Sequence, residues 1–213
     1  IKAYQEEDAD FHQTVADMAG IPRSQAKTIN LGIFYGMGKN KLSRELGIDK
    51  QQAEQILQEY NQRVPFVKQL ANNAMDAADK NGTIWTLKGR KCRFQEWEPS
   101  SFGLHRATTF EDAVQKYGRG NIKRAYTYKA LNRLIQGSAA DQVKQAMIDC
   151  AKAGFYPILQ IHDELCFNLK WEALEPQYKQ ITEIMENCIP ELKVPSKVDI
   201  SIGKNWGQTD EIR

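Results

Sequence analysis

The pattern of hydrophobic and polar residues changes along the chain. Up to residue 80, apolar residues recur at helical spacing in segments separated by breaks such as Gly20-Ile21-Pro22 and Gly36-Met37-Gly38. From residue 83 onward, alternating runs typical of strands also occur, and they predict hairpins over 83–94 and 156–169. The pattern therefore predicts an α+β fold whose first half is mostly helical.

The second half of the chain combines these strands with long helices. Helical spacing predicts helices over 122–153 and 174–188, and the run 194–202 predicts a closing strand. Residues 96–120 are rich in aromatic, Ser and Gly residues, which predicts an irregular surface insertion. A boundary near residue 120 is expected to separate the two halves.

Three polar residues interrupt the apolar hairpin at 156–169. His162-Asp163-Glu164 stand between Ile158-Leu159-Gln160-Ile161 and Leu165-Cys166-Phe167. Charged residues are seldom buried unless they are paired or bind a metal. Mg²⁺ prefers carboxylate oxygens together with substrate phosphates, so a metal site is one interpretation. A solvated hairpin turn is the other.

Composition excludes several classes of protein. The 213 residues suffice for a hydrophobic core and contain no apolar run of the roughly 18 residues that a membrane span needs. The four cysteines are widely spaced, which favours reduced thiols in a cytosolic protein over a zinc site. The first residues lack a signal-peptide profile, so a cytoplasmic location is expected. Because residue 1 is Ile, we also expect a piece of a longer protein.

The net charge of +2 is unevenly distributed. Residues 113–140 contain no acid, whereas residues 163–191 are rich in acids. The acid-free stretch carries six cations: Lys116, Arg119, Lys123, Arg124, Lys129 and Arg133. Segregated basic stretches suit a polyanion such as nucleic acid, although a solvated basic face would give the same pattern.

The helix predicted after Pro22 carries an unusual sequence of side chains. Arg23, Lys27 and Leu31 follow at steps of four, and Tyr35-Gly36 ends the segment. Steps of four keep side chains on one side of a helix. Two cations followed by an apolar and an aromatic residue suit a ligand with a polyphosphate at one end and a flat base at the other. An amphipathic helix with two solvated cations is the alternative.

Five sequence blocks, in the same order, resemble family A (DNA polymerase I-like) DNA polymerases. The blocks are Asp10-Phe11-His12, Arg23-x3-Lys27-x7-Tyr35-Gly36, Leu131 to Asp141, Gln160 to Glu164, and Val194-Pro195 through Asn205-Trp206. The insertion beginning at Trp97-Glu98-Pro99 resembles bacteriophage members more than bacterial repair enzymes. The resemblance covers nearly the whole chain.

This resemblance implies a domain organisation. Residues 1–120 correspond to the fingers subdomain, with the hairpin 83–94 and the insertion 96–120. Residues 121–213 correspond to the C-terminal part of the palm, with an antiparallel sheet and long helices. The implied activity is template-directed DNA synthesis, with primer–template DNA and a dNTP as partners, in the host cytoplasm if a phage encodes the chain.

The resemblance also implies roles in binding the incoming nucleotide. His12, Arg23 and Lys27 would contact its triphosphate, and Lys27 would also supply a proton to the leaving pyrophosphate. Leu31 stands where the family commonly has Phe or Tyr, so we expect altered speed or sugar selection. Tyr35, with Gly36, would guard the position of the templating base.

Further implied roles concern DNA and metal. Two Mg²⁺ ions would be bridged by Asp163, with assistance from Glu164. His162 would touch the primer terminus. The remaining implied DNA contacts are Arg90 and Arg93 on phosphates and Asn132 and Gln136 in the minor groove, where acceptors are common to all base pairs.

One family feature is not found in the sequence. The second metal-binding aspartate normally lies in an Asp-Tyr-Ser-like motif upstream of the region resembling residues 1–12. We therefore expect a complementary N-terminal chain that carries this aspartate, the thumb, the first palm strand and possibly an exonuclease. A catalytically idle DNA- or nucleotide-binding module and a fragment related to single-subunit RNA polymerases or reverse transcriptases are the alternatives.

Overall fold

The computed structural model describes residues 10–34, 37–101, 103 and 105–212. Residues 10–138 of these form one compact unit, and residues 139–212 form another. Helices predominate and the sheets are small and antiparallel, so the predicted α+β class is confirmed. The subdomain boundary near residue 120 stays a prediction.

Five helices begin the first unit, and polar caps and glycines set their ends. Asp10 and Asp49 accept backbone N–H groups at the N-termini of the first and fourth helices. Gly20, Gly47 and Gly82 adopt the left-handed conformation that ends the first, third and fifth. The helices are α1 (Phe11–Ala19), α2 (Arg23–Phe34), α3 (Lys39–Leu46), α4 (Lys50–Arg63) and α5 (Pro65–Asn81).

Each of these helices contributes to a common core. Val15, Ile29, Leu42, Tyr60 and Val67 come from α1 to α5 in turn, and each is at most 1% exposed. Burial of apolar surface on this scale is the main favourable term in folding. Burial of these residues fixes how each helix is rotated about its own axis, and therefore which side chains of α2 face solvent.

The hairpin predicted over 83–94 is present in the first unit. Strand β1 (Thr83–Trp85) pairs with β2 (Lys91–Arg93) in antiparallel register, with Ile84 opposite Cys92. Ile84 and Phe94 are buried with Ala78 of α5 and Leu131. The hairpin is therefore anchored on an apolar cluster.

Residues 96–120 are more regular than predicted. Strand β3 (Trp97–Pro99) is followed by helix α6 (Phe110–Tyr117), and β3 pairs with β4 (Ile122–Arg124). The Trp97 ring lies edge-on to Phe110, with centroids 4.9 Å apart, and the Arg124 guanidinium carbon lies 4.6 Å from the Trp97 ring centroid. These aromatic contacts order a segment whose sequence has no periodic pattern.

The long helix also differs from the prediction of 122–153. Helix α7 spans Ala130–Lys152, because Ile122–Arg124 forms β4 and Thr127–Lys129 forms a 3₁₀ turn. Tyr126, between them, has φ = 61°, which no α-helix accommodates.

The second unit consists of the later turns of α7, one further helix and two hairpins. The elements are β5 (Pro157–Ile161), β6 (Glu164–Phe167), α8 (Leu174–Asn187), β7 (Ser201–Asn205) and β8 (Gln208–Glu211). Ala146 of α7 is buried with Cys188 and Ile189, which follow α8. Within the described residues, no helix has the length and apolarity to cross a membrane.

The closing strand predicted over 194–202 is wrong in its position. The strand begins at Ser201 and pairs with β8, with Ile202 opposite Asp210. Before it, the Val198 N–H donates to the Glu186 carboxylate at 3.0 Å. Val198 thus has a side-chain acceptor in place of a strand partner, and residues 194–199 run without ladder pairing.

Candidate active site

Helix α2 presents the predicted cationic face to solvent. Arg23, Lys27 and Leu31 are all exposed, whereas Ala26 and Ile29 are fully buried. The Arg23 guanidinium contacts the Asp10 carboxylate, with Nε and Nη2 at 2.7 and 2.5 Å from Oδ2. Amphipathic spacing along α2 thus places both cations and Leu31 on one exposed side.

Asp10 connects the N-terminus of α1 with Arg23. Its carboxylate accepts the backbone N–H groups of His12 and Gln13 at 2.8 and 3.0 Å. The hydrogen bond from the Gln13 backbone, followed by that from Arg23, lowers the pKa of Asp10 below its ordinary value of 3.8. Asp10 therefore stays ionised and holds Arg23 beside the start of α1.

His12 lies against the same region and is half-buried. Its Nδ1 is 3.3 Å from the Asn30 side-chain Nδ2. Burial is the main cause that lowers the pKa of His12 below 6.5; the Asp10 charge opposes this shift, and the Arg23 and Lys27 charges add to it. The lowered pKa favours the neutral form of the ring. The structure brings His12, Arg23 and Lys27 into one electrostatic environment, while Tyr35 and Gly36 lie outside the described residues.

A second group of predicted residues surrounds the β1–β2 hairpin and the first turns of α7. The Arg90 Nη2 donates to the Gly137 carbonyl at 2.7 Å, and the Leu87 N–H donates to the Ser138 hydroxyl at 3.0 Å. The Arg133 Nη1 donates to the Arg93 carbonyl at 3.3 Å. The hairpin is thereby docked on α7.

Four of the five predicted DNA-contacting side chains lie on the hairpin and α7, whereas His162 lies in the second unit. Arg90, Arg93 and Gln136 are exposed, and Asn132 is half-buried on the same helix as Gln136. A Cβ on Gly137 would lie 2.6 Å from the Thr86 Cγ2, so the close approach of hairpin and helix favours glycine there. The hairpin therefore carries two exposed arginines, and the helix on which it packs carries the two amide side chains.

The acidic turn lies in the second unit. His162 and Asp163 form the two-residue connection between β5 and β6. The strand pair directly before this turn is Ile161 with Glu164. His162 has φ = 51°, a conformation uncommon outside glycine, and the Gln160 Nε2 donates to its carbonyl at 2.6 Å. The turn is therefore braced in a specific shape that leaves His162, Asp163 and Glu164 exposed.

Glu164 is held by two neighbours. The Trp206 indole N–H donates to its Oε1 at 2.8 Å, and the Cys166 thiol lies 3.4 Å from the same oxygen. Burial, together with the hydrogen bond to Glu164, raises the pKa of the Cys166 thiol. Asp163 and Glu164 are adjacent carboxylates of the kind that Mg²⁺ accepts, and no cluster of three or more metal-ligating side chains occurs in the described ranges.

Sequence reasoning did not assign four residues that organise these sites: Asp10, Asn30, Tyr60 and Trp206. Asp10 carries a visible signal, because an aspartate directly before a helix is a typical N-cap. Asn30 also has a signal in the sequence, since its spacing places it on the buried side of α2. Tyr60 and Trp206 contact their partners 30 and 42 positions away, and no local pattern indicates such contacts.

Comparison with known proteins identifies the family. The model of DNA polymerase family A matches residues 1–208. The chain belongs to DNA polymerase family A. The family predicted from the five sequence blocks is therefore confirmed.

Individual members of this polymerase family show the same similarity. A DNA-directed DNA polymerase of Pseudomonas phage M6 is 36% identical over 94% of this chain and 31% of its own length. DNA polymerase I of Geobacillus stearothermophilus is 32% identical over 92% of this chain and 21% of its own length.

A solved structure extends the comparison to three dimensions. The POL domain of Pol1 from M. smegmatis, in complex with DNA primer-template and dNTP, matches with a TM-score of 0.70 and 29% identity over 91% of this chain and 33% of that one. The chain thus spans between about a fifth and a third of the length of these family A relatives.

Proposed function

We propose that this chain supplies the incoming-nucleotide site and one metal-binding aspartate of a template-directed DNA polymerase. The observation that carries the proposal is an exposed cationic helix face in a family A chain that also has an exposed pair of carboxylates on a braced turn. The Pol1 structure from M. smegmatis, which holds primer–template and dNTP, supports the same assignment by similarity.

The nucleotide site of this proposal lies along α2. Arg23, Lys27 and His12 bind the triphosphate, with Asp10 holding the Arg23 guanidinium in place. Lys27 donates a proton to the departing pyrophosphate. Leu31 borders the sugar, and Tyr35 with Gly36 borders the templating base.

The DNA site of the proposal lies on the docked hairpin and α7. Arg90 and Arg93 bind phosphates and fix the position of the duplex without reading its sequence. Asn132 and Gln136 donate to the minor-groove acceptors that all base pairs share, so they test pair geometry. His162 touches the primer terminus.

Asp163 and Glu164 provide oxygens for divalent metal in this proposal. Mg²⁺, when bound there, supplies charge neutralisation at the α-phosphate and activation of the primer hydroxyl. Glu164 keeps its orientation through the Trp206 N–H. Two-metal chemistry also requires a carboxylate opposite Asp163.

We propose that this opposing carboxylate lies in polypeptide beyond these 213 residues, on the same chain or on a separate one. Exposed apolar side chains on the acidic hairpin support this: Ile158 is 63% exposed and Leu159 is 44% exposed. An isolated two-stranded hairpin is at best marginally stable, and a further strand would cover it. The proposed completing part carries the thumb and the first palm strand.

A primer-extension assay with a single templated base tests this function. We expect the completed polymerase to add the complementary dNTP in the presence of Mg²⁺ and to reject mismatched dNTPs. Binding of DNA and dNTP without extension would instead indicate a catalytically idle module. Preferential addition of the ribonucleotide would indicate the alternative related to RNA polymerases.

A further inference from the structure

Three polar side chains form a continuous chain inside the helical core of the first unit. His12 lies on α1, Asn30 on α2 and Tyr60 on α4. Asn30 is fully buried and Tyr60 is 1% exposed. The Tyr60 hydroxyl bonds to the Asn30 Oδ1, and the Asn30 Nδ2 faces the His12 Nδ1 at 3.3 Å. Tyr60 belongs to a core cluster with Val15, Ile29 and Leu42, and buried hydrogen bonds between side chains are unusual in such a location.

The direction of these bonds follows from the orientation of the Asn30 amide. Burial raises the pKa of Tyr60 to about 12, so its hydroxyl keeps its proton and is able to donate. In the structure the amide oxygen of Asn30 faces the Tyr60 hydroxyl, which donates to it, and the amide NH₂ faces His12. The His12 Nδ1 accepts that N–H, which leaves the proton of the neutral ring on Nε2.

We propose that Tyr60 and Asn30 are positioning residues that fix His12 as a neutral ring with its proton on Nε2, ready to donate to the triphosphate of the incoming nucleotide. This inference rests on the proposed nucleotide site and adds its internal support. Asn30 follows Lys27 by one helical turn, so the same helix carries the phosphate-binding cation and the amide that orients the histidine.

The energetic cost of the polar chain supports a role beyond packing. A phenylalanine at residue 60 would fill the same volume without burying a hydroxyl, and an apolar residue at 30 would need no partner. Fully satisfied polar networks in a core fix one arrangement of their members. Here the member that reaches the surface is His12, beside Asp10, Arg23 and Lys27.

Nitrogen-15 NMR of the imidazole rings in the unmodified 213-residue chain tests the proposal without any substitution. The His12 resonances are assigned by their loss in His12→Gln. At pH 7.5 we expect an unprotonated Nδ1 and a protonated Nε2. A proton on Nδ1 would overturn the proposal.

The variant Tyr60→Phe tests whether the chain controls His12. Without the hydroxyl donor, the Asn30 amide is free to turn its oxygen toward Nδ1, where it stabilises the imidazolium. We therefore expect the pKa of His12 to rise by about half a unit or more. Asn30→Ala, which removes the donor itself, should also raise it. The charges of Asp10, Arg23 and Lys27, which act on the pKa of His12, are unchanged in both variants.

The matched control is Tyr156→Phe, because Tyr156 is 71% exposed and belongs to the second unit. It should leave the pKa of His12 unchanged. An unchanged pKa in both Tyr60→Phe and Asn30→Ala would show that these residues only pack, and would overturn the proposal.

Binding of dTTP with Mg²⁺ to the same proteins separates this inference from the proposed function. We expect Tyr60→Phe to weaken binding several-fold and Tyr156→Phe to leave it unchanged. If the unmodified chain and the completed polymerase both fail to bind dTTP, the nucleotide site is wrong and His12 has no triphosphate to orient. If dTTP binds normally while the tautomer differs from Nε2–H, only the positioning inference fails.

Discussion

Lys27 is the residue on which the proposed nucleotide site depends most, since it lies at the centre of the exposed side of α2. A charge-assisted bond to phosphate contributes about 1.5–3 kcal/mol, so Lys27→Ala should raise the KM for dNTP by about 10- to 100-fold. Loss of the proton donor should lower kcat as well. Steady-state kinetics of single-nucleotide addition measure both values. Lys41→Ala, on α3, is the control, and an equal effect of both changes would contradict the assignment.

Trp206 is expected to act on metal binding through Glu164. Trp206→Phe removes the indole N–H that donates to Oε1 but retains an aromatic ring. Loss of such a supporting bond commonly weakens metal affinity about 10-fold. The Mg²⁺ concentration giving half-maximal extension measures this change. Trp171→Phe, at another exposed tryptophan of the same unit, should leave it unaltered. Equal Mg²⁺ requirements in both variants would refute the role of Trp206.

Individual site residues differ in how far sequence could predict them. The exposure of Arg23 and Lys27 follows from helical period alone, because Ala26 and Ile29 occupy the opposite side. The bonds of Tyr60 to Asn30 and of Trp206 to Glu164 depend on how distant elements pack. Such contacts follow from tertiary structure, and no local period encodes them.

At the scale of elements, the contact between the β1–β2 hairpin and α7 depends on Gly137. A Cβ at this position would lie 2.6 Å from Thr86 Cγ2, in a well-packed region. Overpacking of this kind costs about 1–3 kcal/mol, partly offset by the roughly 1 kcal/mol helix preference of alanine over glycine. Gly137→Ala should therefore lower the free energy of unfolding and weaken DNA binding.

Gly120→Ala is the matched control for this substitution. An added Cβ there meets no atom within 4 Å. Urea denaturation and primer–template titration of both variants give the comparison. Equal stability and equal DNA affinity would show that the close approach at Gly137 has no consequence.

Asp10 caps α1 and also contacts Arg23 of the proposed nucleotide site, and these two contributions can be separated. Asp10→Asn keeps an N-cap acceptor but removes the charge beside Arg23, whereas Asp10→Ala removes both. The pKa of Asp10 is lowered in the folded protein, so its contribution is complete above the ordinary value of 3.8 and is lost as the pH falls through the lowered value.

Acid denaturation followed by circular dichroism should therefore show a smaller loss of stability with falling pH in Asp10→Asn and Asp10→Ala than in the unmodified chain. At neutral pH we expect Asp10→Ala to be less stable than Asp10→Asn. Identical pH profiles in all three proteins would exclude the proposed contribution of Asp10.

The sequence predicted those helices and strands correctly whose residues follow a local periodic pattern. The helices of residues 10–80 follow apolar period and caps, and the hairpin at 83–94 follows alternation around Lys88-Gly89. Residues 96–124 were misread because the pairing of β3 with β4 joins positions about 25 residues apart and is reinforced by Trp97, Phe110 and Arg124. Long-range pairing overrides local preference there.

At the scale of the whole molecule, the proposed polymerase requires more polypeptide than the 213 residues provide. The relatives are three to five times longer than the segments they share with this chain. A completing part that adds a strand to the acidic hairpin should slow amide hydrogen exchange in β5. Unchanged exchange in β5 upon completion would contradict this mode of assembly.

The central claim is that Asp163 holds catalytic metal in a family A polymerase. Mg²⁺-dependent primer extension by the completed polymerase, with Asp163→Asn against the exposed control Asp199→Asn, tests it most directly. Metal ions supply several kcal/mol of transition-state stabilisation, so we predict a loss of roughly 1,000-fold or more in kcat for Asp163→Asn and none for Asp199→Asn. Retention of normal extension by Asp163→Asn would contradict the claim.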